Sequence, residues 1–560
     1  MVIEYGAEAG GNLPAFALPE NAGPGPSSAA APDPEAVLTA SPVPLSLTET
    51  IYNARGLPEE VRNYYLDGND DAQYTATITF YDHADRPVEV HAPNAPVQRF
   101  EYDAKGRQIV SVQMAAGDEV TRTVTVYDVR DRAIQSIHYE RRHDGTGNPL
   151  DATNSIIAYS YTWYDDAGRV AVTADYGTHN TTFTNGSQPS YDEENPPAVG
   201  TAGILVTAFE YDAKGRQTAI HHPDGTVTRH EYDGLDRIIL TRENTPLAGD
   251  GPANDRRFTA YFYECADDTT GTCNSARLLK MAAILPNHNG GSVDEWADID
   301  WAAADGTIQV TTFEYDAVVV DSAGTPISQN NGWISAVHYP KDLSDVIYQA
   351  QPSLITEPHL KFTYYSDGSV ATREDIYGTR FVYEYDELGR RTKTLVEPDV
   401  SFPDVNPIRE IVYDYTGDGM LTEVIAKDDS GNILSKSSFD YDARRNLMYE
   451  TQTHGDPASP DVPAATIDYT WEYSPLSAYN FERLAGMTYP TRPETGYRSL
   501  TFNYGNNTDD IDSALSRITQ IVDPSLGGSP AATYTYAGQS RRVAMTLGGN
   551  VSQTVAGGGG

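Results

Sequence analysis

Cysteine is almost absent from this chain: 560 residues contain two. A disulfide framework of the kind that staples small secreted domains is therefore excluded. Long apolar runs are missing as well. No stretch approaches the length of a membrane-spanning helix. Met1 to Tyr5 carries neither a basic n-region nor an apolar h-region, so it does not read as a signal peptide. Positive charge is scarce, with 39 Lys and Arg against 80 Asp and Glu and a net charge of −41. Such a surface repels nucleic acid and anionic membranes, so neither is expected as a partner. Hydrophobic residues make up only 39 %, which is lean for a solid core of this size. The sequence contains no Gly-x-Ser-x-Gly, no His-Glu-x-x-His and no phosphate loop. No cofactor and no enzymatic activity are expected.

Tyrosine is abundant instead, with 38 Tyr against 14 Phe. Tyr suits a sheet partly wet on both faces, because its ring packs while its hydroxyl reaches water. The tyrosines are also placed periodically. Tyr211-Asp212 recurs as Tyr232-Asp233, and Arg216 recurs as Arg237, each 21 residues later. Phe100 to Arg107 is identical to Phe209 to Arg216. Tyr102, Asp103, Gly106 and Arg107 thus match Tyr211, Asp212, Gly215 and Arg216, and also Tyr385, Asp386, Gly389 and Arg390. Further copies start at Tyr81, Tyr127 and Tyr164, and looser ones at Tyr52, Tyr315, Tyr413 and Tyr441.

Each position has a physical reason. Phe209 and Tyr211 share one face of a strand. The Asp212 carboxylate can hold the backbone N–H groups of a turn. Gly215 supplies the positive φ of a type I turn with a bulge. Arg216 opens the return strand within reach of Asp212. Pro223-Asp224-Gly225 closes the other end. The unit reads strand, turn, strand, turn, and these recurring polar residues read as structural. Repetition at this period means a stacked array.

Residues 1–46 are rich in Pro, Ala, Gly and Ser and read as a flexible leader. The array occupies 47–242. Residues 243–312 interrupt the pattern and contain Cys265 and Cys273. The loop between them has turn composition; a bridge closing this hairpin fits export, and the alternative is two free thiols. The array resumes over 313–545, and 546–560 is a Gly-rich tail. Residues 177–203 read as a polar surface insertion.

Two features invite a metal and fail. His221 and His222 are adjacent on a strand and point to opposite faces. Asp414 to Gly419 resembles a calcium loop, but its twelfth position is Ile425 instead of Glu.

The many copies of Tyr-Asp-x-x-Gly-Arg resemble the Rhs/YD-repeat family: Rhs polymorphic toxins, the C component of insecticidal toxin complexes, wall-associated proteins and teneurins. The resemblance covers residues 50 to 540. It implies an all-β fold, a hairpin array spiralling into a hollow, incomplete β-shell. In the toxin relatives the shell holds a payload, and in teneurins it is an extracellular adhesion module. The expected function is a secreted or cell-surface scaffold that encloses a C-terminal polypeptide not present in this chain. The alternative is an adhesion module for a cell-surface glycan or protein. The family's closing signature, Asp-Pro-x-Gly-Leu, is only echoed by Asp523-Pro524-Ser525-Leu526-Gly527. Its self-cleaving aspartyl activity is accordingly not carried over.

Overall fold

The turns at Asp82, Asp103, Asp128, Asp165, Asp212, Asp233, Asp386 and Asp442 are built the same way, and the sheet follows from the repetition. At Asp103 the backbone of Gly106 donates to the Asp103 carbonyl (3.0 Å), and Asp103 donates to the Arg107 carbonyl (3.0 Å). The register slips by one residue between Glu101 and Tyr102, where Tyr102 pairs with Gln108. The same slip precedes Tyr52, Tyr81, Tyr127, Tyr164, Tyr211, Tyr232 and Tyr385. A bulge at a fixed place in each hairpin adds local twist in one sense, so an array of such hairpins coils.

The computed structural model describes residues 2–4, 34, 46–66, 71–178, 188–246, 257–264, 277–284, 296–301, 308–340, 357–399, 407–455, 464–473, 482–490, 498–505, 510–524, 527, 529–548 and 551–554. These hold 36 strands in one sheet. From Val2–Glu4 to Ile308–Glu314, each strand pairs antiparallel with the next, as Gln217–His221 does with Thr226–Tyr232. The meander then runs from Ile308–Glu314 to Ala336–His338, on to Leu360–Tyr365, and continues to Val551–Thr554. One hairpin, Ala317–Val320 with Pro326–Asn330, stands outside it. Its first strand runs parallel to Leu360–Tyr365.

Contacts between residues almost four hundred positions apart show that the sheet winds past one full turn. Glu482 donates its backbone N–H to Asn94 Oδ1 (2.7 Å), and Gly538 donates to the Arg141 carbonyl (2.8 Å). Arg541 pairs with Glu140 at 3.2 Å, and the Arg444 guanidinium lies 4.9 Å from the Tyr65 ring. The later coil contributes its Tyr-Asp-turn rim, and the earlier coil contributes the opposite rim. About two dozen strands separate these contacts. At about 4.8 Å per strand they give a circumference of roughly 115 Å and a diameter of roughly 37 Å. Facing sheets pack about 10 Å apart, so side chains from opposite walls fall roughly 25 Å short of meeting. Among the described residues the wall is one sheet thick, and at this diameter its opposite faces do not pack on each other. The first and last strands do not pair, so the shell is open.

Burial agrees with a single layer. Along Leu360–Tyr365 every residue on both faces is half-buried. Dense apolar packing is local. One cluster gathers Ile137, Ile157, Tyr159, Tyr161, Trp163, Ala174 and Val206 under the segment carrying Tyr191 and Val199. The other gathers Leu240, Phe258, Ala260, Ala282, Ile284, Ile299 and Ile308, with Trp296 and Trp301 against it.

Several readings of the sequence change here. Residues 188–203 are not merely a surface insertion. They cover one sheet face, with the Pro189 carbonyl accepting from Tyr161 Oη and the Asp192 carbonyl from Trp163 Nε1. The turn expected at Tyr413-Asp414 lies two residues later: Tyr415 pairs with Leu421, and Thr416 does the work of the aspartate. After Tyr315-Asp316 there is no tight turn, because the chain enters the side hairpin. Val2–Glu4, within the expected leader, pairs with Ser46–Thr48. Between 243 and 312, Arg257–Tyr263 and Leu278–Ile284 carry the sheet onward. Cys265 and Cys273 lie outside the described residues, as does most of 1–46.

Candidate functional site

The most organised polar feature is the rim formed by the Tyr-Asp turns. At Asp212, Oδ1 accepts from the backbone N–H groups of Lys214 and Arg216, both at 2.9 Å, and Oδ2 accepts from Arg216 Nε at 2.7 Å. Asp103 holds Arg107, Asp233 holds Arg237 and Asp386 holds Arg390 in the same way. The carboxylate therefore satisfies backbone donors that the turn would otherwise leave open.

Each turn also grips its neighbour. The Arg107 guanidinium lies 4.6 Å from the centre of the Tyr127 ring. Arg86 covers Tyr102, Arg169 covers Tyr211, Arg216 covers Tyr232 and Arg390 covers Tyr415, at 4.5 to 4.7 Å. Arg237 covers Tyr263 at 4.2 Å. The tyrosine hydroxyl then donates backward to the residue after the preceding turn's arginine. Tyr102 reaches Pro87 O, Tyr211 reaches Val170 O and Tyr232 reaches Gln217 O, at 2.8, 2.8 and 2.6 Å. Tyr385 donates to Val370 O at 3.0 Å. This adds a reason for the abundance of tyrosine: these hydroxyls hold one repeat to the next.

At three turns that lack the glycine, aspartate occupies its left-handed position, with φ of 63° at Asp85, 65° at Asp131 and 65° at Asp236. Aspartate tolerates this region better than most residues. Its carboxylate also takes the arginine of the preceding turn: Arg55–Asp85 at 2.6 Å, Arg107–Asp131 at 2.6 Å and Arg216–Asp236 at 2.7 Å. From Arg86 to Tyr263 the rim is thus an unbroken ladder of guanidinium groups, rings and carboxylates.

The ladder sets the acidity of its aspartates. At Asp82 the Arg86 side chain and then its backbone N–H hold the carboxyl down to about 2. The Arg107 guanidinium holds Asp103 below the usual range. At Asp212 and Asp386 burial pushes upward, and the backbone and guanidinium of the following arginine more than offset it.

Where Asn446 stands in place of the turn arginine, Arg444 supplies the cation. It sits 4.5 Å from the Tyr473 ring and 4.9 Å from Tyr65 of the earlier coil. The Tyr473 hydroxyl donates to the Asp442 carboxylate. Reading the repeat alone does not find this substitution. An arginine displaced by two positions is its only sequence signal.

The structure keeps the histidines apart. His221 pairs with Glu210 at 2.7 Å, His222 meets Thr228 Oγ1 at 2.9 Å, and His230 meets Thr241 Oγ1 at 3.2 Å. Among the described residues no group of three His, Cys, Asp or Glu is placed to hold a metal. Asp418 of the calcium-like loop pairs with Arg445 at 3.2 Å. No helix of the described residues is long and apolar enough to cross a membrane.

Gly215 tests the turn. Its φ is +89°, and a Cβ there meets nothing nearer than Arg169 Nη1 at 3.7 Å. Gly215→Val is expected to cost about 1–3 kcal/mol through backbone strain alone. Lys214→Val, at an exposed position, is expected to cost less than about 0.5 kcal/mol. Denaturant midpoints would show it, and equal values would refute the assigned turn.

The family model for the RHS Repeat matches residues 206–248. No curated protein matches the chain. Among solved structures, TcdB2-TccC3 is 15 % identical over 90 % of this chain and 28 % of its own, with a TM-score of 0.26. TcdB2-TccC3-Cdc42 is 14 % identical over 89 % and 30 %, with a TM-score of 0.25. The Tc holotoxin pore of Photorhabdus luminescens is 14 % identical over 89 % and 29 %, with a TM-score of 0.24. The chain spans less than a third of the length of these structures.

Proposed function

We propose that this chain, a member of the Rhs/YD-repeat family, is a non-enzymatic scaffold whose shell encloses a polypeptide outside the cell. The supporting observation is the wall itself: one sheet thick, wound past a full turn, and too wide for its opposite faces to meet. The repeated polar groups support the same reading. Asp103, Arg107, Asp212, Arg216, Asp386 and Arg390 are occupied with one another and with the backbone of their turns. The enclosed polypeptide would be a C-terminal polypeptide of the kind the family resemblance implies.

The test is protection. A protease-sensitive segment fused after Gly560 should resist digestion in the native protein and become sensitive once the shell is opened by acid. Electron microscopy should show a central region of low density about 25 Å across. The purified chain should hydrolyse no glycan, peptide or ester. Digestion of the fused segment at the rate of the free peptide, together with a filled particle, would sink the proposal. Saturable binding to a cell-surface glycan without protection would favour the adhesion module instead.

A further inference from the structure

The two coils leave a cavity of about 220 Å³ where they meet. The earlier coil lines it with Arg141, Arg142 and His143, and the later coil with Asp510, Asp512 and Arg517. Arg141 is fully engaged: it donates to the carbonyls of Glu119, Gly145 and Gly147 and to Asn148 Oδ1. Arg142 has no side-chain partner among the described residues. Asp510 Oδ1 already accepts from the Asp512 backbone.

Arg517 is the unusual member. Its side chain is only 9 % exposed. One terminal nitrogen pairs with Asp512 and the other donates to the Gly538 carbonyl at 2.6 Å. Its Nε is buried with no hydrogen-bond partner, although an orphaned buried donor is costly. Burial pushes the Asp512 carboxyl up and the Arg517 guanidinium down, so the pair is incompletely compensated. Arg141, Arg142 and Arg517 line the cavity with Asp510 and Asp512; Arg141 also lies 3.8 Å from Asp118, and Glu140 stands beside Gly538 of the lining, so Arg142 is the cation left over for a ligand.

We propose that this cavity binds a small oxygen anion, an inorganic oxoanion or a single carboxylate, through Arg142 with Arg517 behind it, and that the anion ties the two coils together. Size limits the ligand, since pockets for drug-sized molecules start at about 300 Å³. The proposal is independent of whether the shell encloses a payload.

Calorimetric titration of the full chain with inorganic phosphate, and separately with acetate, tests it. Expected is saturable one-site binding of at least one of the two, weakened about tenfold or more in Arg142→Gln. Arg130→Gln, which removes an exposed turn arginine remote from the cavity, should bind as the parent does. Phosphate also stabilises proteins generally by exclusion. For that reason the melting temperature is compared at equal ionic strength in all three proteins, and only a saturating increment lost in Arg142→Gln supports the site. Binding by phosphate alone identifies an inorganic oxoanion, and binding by acetate alone identifies a chain carboxylate. No saturable heat with either probe, or equal binding in Arg142→Gln, overturns the proposal.

Discussion

Acidification from pH 5 to pH 2 is expected to unfold the array. The ladder aspartates set the window. Asp82 is held down to about 2, and Asp103, Asp128, Asp165, Asp212 and Asp386 are held below their usual value. In the unfolded chain they return to about 3.9. Between these limits the unfolded state binds more protons, so stability falls as pH falls. The contribution is complete above about pH 4 and is lost as pH drops through the folded values. Relief of repulsion within a chain of charge −41 opposes this, because protonation removes negative charge. The ladder should prevail. Its carboxylates accept two backbone N–H groups and a guanidinium at once. Protonating one turn also releases the arginine that covers the next ring, so the loss should propagate along the rim. Urea midpoints measured by far-ultraviolet circular dichroism at pH 5, 4, 3 and 2.5 would show the decline. A midpoint flat or rising from pH 4 to pH 2.5 would contradict the ladder's role.

Trp163→Ala should cost about 3–5 kcal/mol, the largest loss expected from a single substitution in the wall. Trp163 is 3 % exposed, stacks on Tyr191 at 5.1 Å and donates to the Asp192 carbonyl at 2.6 Å. Removing it opens a cavity under the 188–203 segment and leaves that carbonyl without its partner. Phe80 occupies the equivalent place, immediately before Tyr81, yet is 46 % exposed, with no segment over it among the described residues. Phe80→Ala should cost less than about 1 kcal/mol. Urea unfolding of the two variants decides between them. Similar losses would mean that both positions sit in the same kind of bare single-layer sheet and that the 188–203 segment contributes no core.

Gly215, Asp212 and Arg216 could be assigned from sequence because their roles are local. A positive φ, a carboxylate facing its own turn and an arginine four residues on require no knowledge of distant chain. The 21-residue period then specified an antiparallel array, since identical units stacked in order bury the same faces. Coiling was expected too, because more than twenty short strands in one sheet cannot stay flat. The contacts between turns were not legible. Which ring Arg216 covers depends on the spacing of strands in the sheet, and Tyr232 lies sixteen residues from it while Tyr211 lies forty-two from Arg169. The tyrosine hydroxyls found their acceptors by the same route. Still less could the sequence bring Arg142 to Arg517, Asn94 to Glu482, or Arg444 to Tyr65. Those contacts depend on the circumference of the coil, which sums small twists over about two dozen strands. A slight change in twist per strand would pair different residues at the seam. Local chemistry determined the hairpins and their order, and only the accumulated curvature of the whole sheet decided which rims meet and what lies between them.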